Sequence, residues 1–233
     1  MTCTNICKTI LLLLVVGYAT SCKKDAYKDD GGVAQAKVDM TTYDYLKSKS
    51  QFSSLVHLID KAGLKETLNG NITFFAVTNY GVDDWVSAKK QQEIIKRNDE
   101  NITYTIDSIP VSYYKDSLLT YMFAGKINRD SMSTAGKLYN SLQGVIKDTT
   151  YLIKLRRVTD SYTNYLDYVN YVNFTRVIGT RDDLVADQST IPTSQKDVTY
   201  DCQTSGIITN TGIVHVLDGY HRLFFNTQPL AGN

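Results

Sequence analysis

The sequence predicts an α+β domain. Helix-spaced apolar positions crowd into residues 41–125, with one compact strand-like run among them, whereas β-type runs dominate after residue 137. Helices come first and strands later, which argues against the alternating strand–helix–strand units of a parallel sheet.

Taken in order, Thr41-Thr42 can cap a first helical stretch with Tyr43 and Leu46 on one face. Phe52, Leu55, Val56 and Ile59 follow at helical spacing and stop at Gly63. Leu64 and Leu68 start a short third turn that ends at Asn69-Gly70. Residues 72–77 are a continuous apolar run, read as a buried strand that Thr78-Asn79 closes. Val82, Trp85 and Val86 fit a following helix, and the polar segment 89–111 reads as solvated helix and loop. Ser112 is expected to cap a helix carrying Leu118, Leu119 and Met122 and ending near Gly125. Residues 137–142 and 150–158 have β character around a turn at Gly144, and 168–178 are rich in Val, Tyr and Phe. Residues 181–199, polar and containing Pro192, read as a long loop. The last expected pair is a strand over 212–217, a hairpin turn at Asp218-Gly219 and a strand over 220–225.

The N-terminus carries a separate message. Lys8 precedes an apolar run over residues 10–16, then small residues, then Cys22, which are the parts of a secretory signal. The run is well short of the ~20 residues needed to span a bilayer. Ala19-Thr20-Ser21-Cys22 resembles the lipobox of bacterial lipoproteins, which implies removal of residues 1–21 and lipid on the Cys22 thiol. Each buried methylene adds about 0.8 kcal/mol, so more than one acyl chain gives lasting attachment. Residues 22–39 are charged and glycine-containing and suit a flexible tether. Lys23 directly after the cysteine, with Asp25 soon after, resembles outer-membrane and surface lipoproteins of the Bacteroidota.

Composition narrows the function classes. A net charge of +1 gives no strong field toward nucleic acid. Of the four cysteines, Cys3 and Cys7 lie in the signal and Cys22 in the lipobox, so Cys202 is expected as a small buried hydrophobe without a disulfide. The three histidines, His57, His215 and His221, have no metal-ligand spacing, and no nucleophile elbow, phosphate loop or dinucleotide fingerprint is present. Neither a metal nor a cofactor is therefore expected. Tyrosine is abundant, 17 against 7 Phe, which fits a half-buried β face and, alternatively, a binding face at Tyr162, Tyr165, Tyr168 and Tyr171.

Three blocks then become specific. Residues 72–79, Ile-Thr-Phe-Phe-Ala-Val-Thr-Asn, resemble the first block of fasciclin-like domains, a Thr-x-Phe-Ala-Pro-Thr-Asn pattern. Residues 206–218 resemble the second, Asn-Gly-x-x-His-x-x-Asp. Between them, residues 118–127 sit where that family has a Leu-Leu-x-Tyr-His stretch before a glycine. Val77 stands for the usual Pro, Gly81-Val82 for Ala-Phe, and Met122 for the His after Tyr121. The resemblance spans residues 40–226, leaving 227–233 as a tail. It implies a β-sandwich or wedge with packed helices, and an extracellular adhesion or binding module without catalytic activity. It makes Thr78, Asn79, Tyr121, His215 and Asp218 family-motif positions with structural roles. His215 is expected to hydrogen-bond the Thr78-Asn79 corner, since an unpaired buried imidazole costs about 1–3 kcal/mol.

The functional expectation is a module lipid-anchored through Cys22 at the outer membrane or cell surface, holding an unknown protein or glycan. The alternatives are a subunit of an outer-membrane nutrient-uptake complex and a hydrolase of envelope polymers. A deep pocket joining His, Asp and Ser would favour the last.

Overall fold

The computed structural model describes residues 37–144, 150–159 and 168–226. Cys22, the tether up to residue 36, Tyr162, Tyr165 and the tail lie outside them, whereas residues 37–39, expected as the end of the tether, lie against the sheet where the Val38 amide donates to Ile208 O (2.9 Å). Thr41 caps α1 (Thr42–Lys47), its hydroxyl accepting from the Asp44 amide. In α2 (Ser53–Ala62) the apolar stripe Leu55, Val56, Leu58 and Ile59 is buried, and Gly63 ends the helix at φ 68, a left-handed conformation natural to glycine. A turn of helix, α3 (Lys65–Leu68), leads into the fully buried strand β1 (Ile72–Ala76). The long helix α4 (Asn79–Arg97) buries Val82 and Trp85. α5 (Lys115–Leu118) and a 3-10 turn, Leu119–Tyr121, precede β2 (Met122–Ala124).

β3 (Lys137–Tyr139), β4 (Thr150–Val158), β5 (Val169–Val177), β6 (Val198–Ile208) and β7 (Gly212–Leu217) complete a 7-stranded sheet in the order β2-β1-β7-β6-β5-β4-β3. β1 and β7 form the parallel pair in a sheet otherwise antiparallel, and both are buried along their whole length. That is why their sequences read as continuous apolar runs rather than alternating ones. β6 hands the sheet over: its first residues pair with β5 (Thr199 with Thr175, Asp201 with Asn173), and its later ones with β7 (Ile207 with Val214). Register shifts between Cys202 and Thr204 and between Thr204 and Ile207 mark the change. β1 and β5 are three places apart in the sheet, yet Phe75 and Phe174 stack with centroids 4.3 Å apart. The sheet therefore turns back on itself around an aromatic core that includes Phe123, Tyr151 and Phe225.

Three sequence expectations are corrected. Ser112 caps no helix: it lies inside a 3-10 turn, Val111–Tyr113, and Tyr114 precedes α5. Met122 leaves the helix to pair with Phe74, because the edge of β1 needs a strand to satisfy its backbone. Residues 220–225 form no strand. β7 pairs with β6, a strand absent from the sequence reading, and the chain beyond it coils into the 3-10 segment Leu223–Asn226.

Candidate functional site

The residues of the first block are spent on joining helices to the sheet. Thr78 precedes α4 in an extended conformation, its carbonyl accepting from Val82 and its hydroxyl buried without a partner among the described residues. Asn79 Oδ1 accepts from the Ser54 amide at 3.0 Å, and its Nδ2 donates to Ser50 O (2.9 Å) and Ser53 Oγ (3.0 Å). It thus satisfies an amide in the first turn of α2 that has no partner within that helix.

His215 does not reach that corner. It lies in β7 opposite Phe75, fully buried and stacked on that ring at 5.1 Å. The Gly206 amide donates to Nδ1 (3.1 Å), so the proton sits on Nε2 and is donated to Ile127 O (3.1 Å). The ring bridges the β6 bulge to the chain after β2. Burial pushes its pKa down to about 4, against the Ile127 carbonyl, which raises it.

Tyr121, at the base of β2, is completely buried. Its hydroxyl accepts from the Phe224 amide (2.6 Å) and therefore donates to His221 Nε2 (2.8 Å). An imidazole thus reaches Tyr121 from 100 residues along the chain, although Met122 stands where the resemblance places histidine. With Nε2 accepting, the proton lies on His221 Nδ1, which has no hydrogen-bond partner among the described residues. The rings of Tyr200 and Phe225 stand perpendicular to it at 4.4 and 4.8 Å. Burial drives the His221 pKa down to about 3. Asp218 forms no hairpin turn: its Oδ1 accepts from the Tyr220 and His221 amides, both at 3.1 Å, and presents the histidine to the core. Gly81 faces this turn so closely that a Cβ there would press into the His221 carbonyl oxygen, the space that an alanine at that position would need.

The accessible chemistry lies elsewhere, in an open groove of about 510 Å³ between α2, α4 and the 3-10 turn Ile106–Ser108. Its polar lining is Ser53, Ser54, His57, Asp83, Ser87 and Asp107, over Val86 and Ile106. His57 Nε2 lies 2.7 Å from Asp107 Oδ1, which also accepts from Lys61 Nζ at 2.8 Å. The Lys61 and His57 hydrogen bonds hold the Asp107 carboxyl below its ordinary range. Serine, histidine and aspartate share this groove but not in catalytic order. Ser54 Oγ donates to Asp83 Oδ1 (3.3 Å) and Ser53 Oγ accepts from Asn79, whereas His57 is bonded to Asp107.

A second exposed cluster occupies the end of β4 and β5. Arg156 caps the Tyr171 ring at 5.6 Å and grips Asp201 side-on through Nε and Nη2, while Arg157 lies 3.8 Å over Tyr168. Burial pushes Asp201 up, but the bonds from Arg156 and Asn173 outweigh it and hold the carboxyl low. Tyr168 and Tyr171 are exposed, whereas Tyr151 of β4 is core.

Cys202 is buried and unpaired, with its thiol pKa pushed up by burial. Among the described residues there is no His, Cys, Asp or Glu cluster suited to a metal, and no helix long and apolar enough to cross a membrane.

No protein-family model and no curated protein matches the chain. Among solved structures it is similar to a FAS1 domain pair from the insect cell adhesion molecule fasciclin I, at 11% identity and a TM-score of 0.37. That match covers 78% of this chain and 44% of the other, so this chain spans less than half of that neighbour's length.

Proposed function

We propose that the chain is a fasciclin-like binding module of the bacterial cell envelope, anchored by lipid on Cys22 at the outer membrane or cell surface, that holds a protein or glycan without transforming it. The carrying observation is the division of labour among its reactive side chains. Tyr121, His215, His221 and Asp218, which could do chemistry, are engaged in hydrogen bonds of the fold, and in the exposed groove Ser54 is bonded to Asp83 and His57 to Asp107, so no hydroxyl is bonded to the histidine. The hand-over at β6 supports a wedge-like sheet of the fasciclin kind, with the three sequence blocks meeting at its buried parallel pair and the elements beside it. The lipobox at residues 19–22 and the polar tether after it support the anchor.

The Arg156–Tyr171 and Arg157–Tyr168 stacks favour a second reading, a structural subunit of an outer-membrane nutrient-uptake complex. Arginine and tyrosine on exposed sheet ends are the chemistry of protein hot spots.

The anchor is tested by expressing the full chain and its Cys22→Ala variant in a diderm host fed radiolabelled palmitate. The wild type is expected to carry label and partition into detergent, and the variant to lose both. A variant that stays membrane-bound and labelled refutes the anchor.

A further inference from the structure

We infer that the surface running from Tyr220 across Tyr80 into the groove between α2 and α4 is a carbohydrate-binding strip, taking a short neutral oligosaccharide. This deepens the binding-module reading and rests on it.

Tyr80 and Tyr220 are the most exposed aromatic side chains among the described residues, at 76% and 90%. Rings of that size in water need a reason. Both are carried on locked backbone. Tyr80 sits in the first turn of α4, which Asn79 ties to α2 by three hydrogen bonds. Tyr220 sits in the turn whose amides Asp218 holds. The two meet at Gly219, where a Cβ would lie 4.0 Å from the Tyr80 ring, and the backbones are held together where Gly81 abuts the His221 carbonyl. Two exposed aromatic side chains thus flank a residue with no side chain, on backbone that is already ordered.

The platform continues into the groove. Tyr80, Asp83 and Ser87 are spaced i, i+3, i+7 on α4 and so share one face, over about 10 Å of helix axis. Asp83 is turned by Ser54 Oγ on its Oδ1, leaving Oδ2 unpaired among the described residues, and Ser87 is exposed along the same groove. Across the groove stand His57 and Asp107, with Val86 and Ile106 as a small apolar floor. Sugars demand this combination: flat C–H faces for aromatic rings, and hydroxyls for carboxylate and serine oxygens. A protein interface of comparable size centres on apolar residues with a polar rim. Here the apolar floor is only Val86 and Ile106, polar groups make up the rest of the groove, and the large aromatic rings stand outside it.

The test uses the mature lipidated protein in detergent, titrated with a panel of neutral oligosaccharides (gluco-, xylo-, manno- and N-acetylglucosamine-based) and, in parallel, used to capture solubilised envelope proteins. Tyr80→Ala and Tyr220→Ala are expected to weaken oligosaccharide binding about three- to tenfold each. Asp83→Asn, which can still accept from Ser54, should weaken it by a similar factor, and Tyr168→Ala should leave it unchanged. Thermal melts check that each variant folds. Oligosaccharide binding that ignores Tyr80, Tyr220 and Asp83 overturns the strip while leaving the binding-module reading standing. Capture of a protein through those residues, with no sugar bound, overturns the ligand class alone. A folded wild type that binds neither sugar nor protein overturns both readings.

Discussion

The molecule buries two imidazoles, and the regions around them solve the same problem differently. His215 satisfies both ring nitrogens with backbone groups, Gly206 N–H and Ile127 C=O. His221 satisfies one, with the Tyr121 hydroxyl, and surrounds the other with aromatic rings. A backbone partner cannot be mutated away, whereas a side-chain partner can. His215 is therefore tied to the main chain of the sheet, and His221 to a replaceable pair at the point where the chain after β7 returns to the core. The His221 region carries a further load: Phe224 and Phe225 adopt left-handed φ of 63 and 56, at a cost of about 1–2 kcal/mol each. The stacking of Phe225 on Tyr121 and its contacts with Tyr151, Phe174 and His221 offset that cost.

Acid should weaken both regions most strongly, and part them only below about pH 4. Both histidines have folded pKa values, about 4 and about 3, below the unfolded value, so the unfolded chain takes up protons first. Their stabilising effect is complete above about pH 6.5 and is lost as pH falls through the window from about 6.5 to 4 for His215 and on to about 3 for His221. Chemical denaturation at about pH 4.5 should show each histidine costing on the order of 2–3 kcal/mol relative to neutral pH. His221→Gln should remove about half of that loss. Asp183, held at about 2 by Arg181 and Lys154, loses its share between about pH 4 and 2, below the pH of that measurement.

Next in size, His215→Ala should cost about 2–4 kcal/mol at neutral pH, because it strands the Gly206 amide and Ile127 carbonyl in the core. A melting curve unchanged from wild type would contradict the bridging role. Tyr121→Phe should cost less, about 1–3 kcal/mol, leaving the Phe224 amide and His221 Nε2 without their shared partner. Pairing it with His221→Leu should cost less than the sum of the two single changes, a coupling that His215 cannot show with backbone partners. The smallest effect is expected from Asp218→Ala, about 1 kcal/mol from two lost amide bonds in a half-buried turn, measured as a small fall in Tm. A loss as large as that of His215→Ala would show that the turn, rather than the imidazole, holds the region.

Much of this was already written in local sequence. The Thr41 cap, the Leu55–Ile59 stripe and its stop at Gly63 follow from helix periodicity and capping, which act over a few residues. The burial of β1 follows from the compact apolar run at residues 72–77, and that of Cys202 from the small apolar character of a free thiol. Tertiary structure alone decided the rest. β6 was invisible because its first half pairs on one side and its second on the other, so no single alternation runs through it. Met122 reads as helix until β1 supplies an edge to pair with. His221, flanked by exposed Tyr220 and half-buried Arg222, carries no local sign of burial; its environment is built by Tyr121 from a distant turn and Tyr200 from β6. The groove joins residues of two helices and a loop, and the partners of a hydrogen bond between side chains fifty residues apart, such as His57 and Asp107, are chosen by packing rather than by spacing.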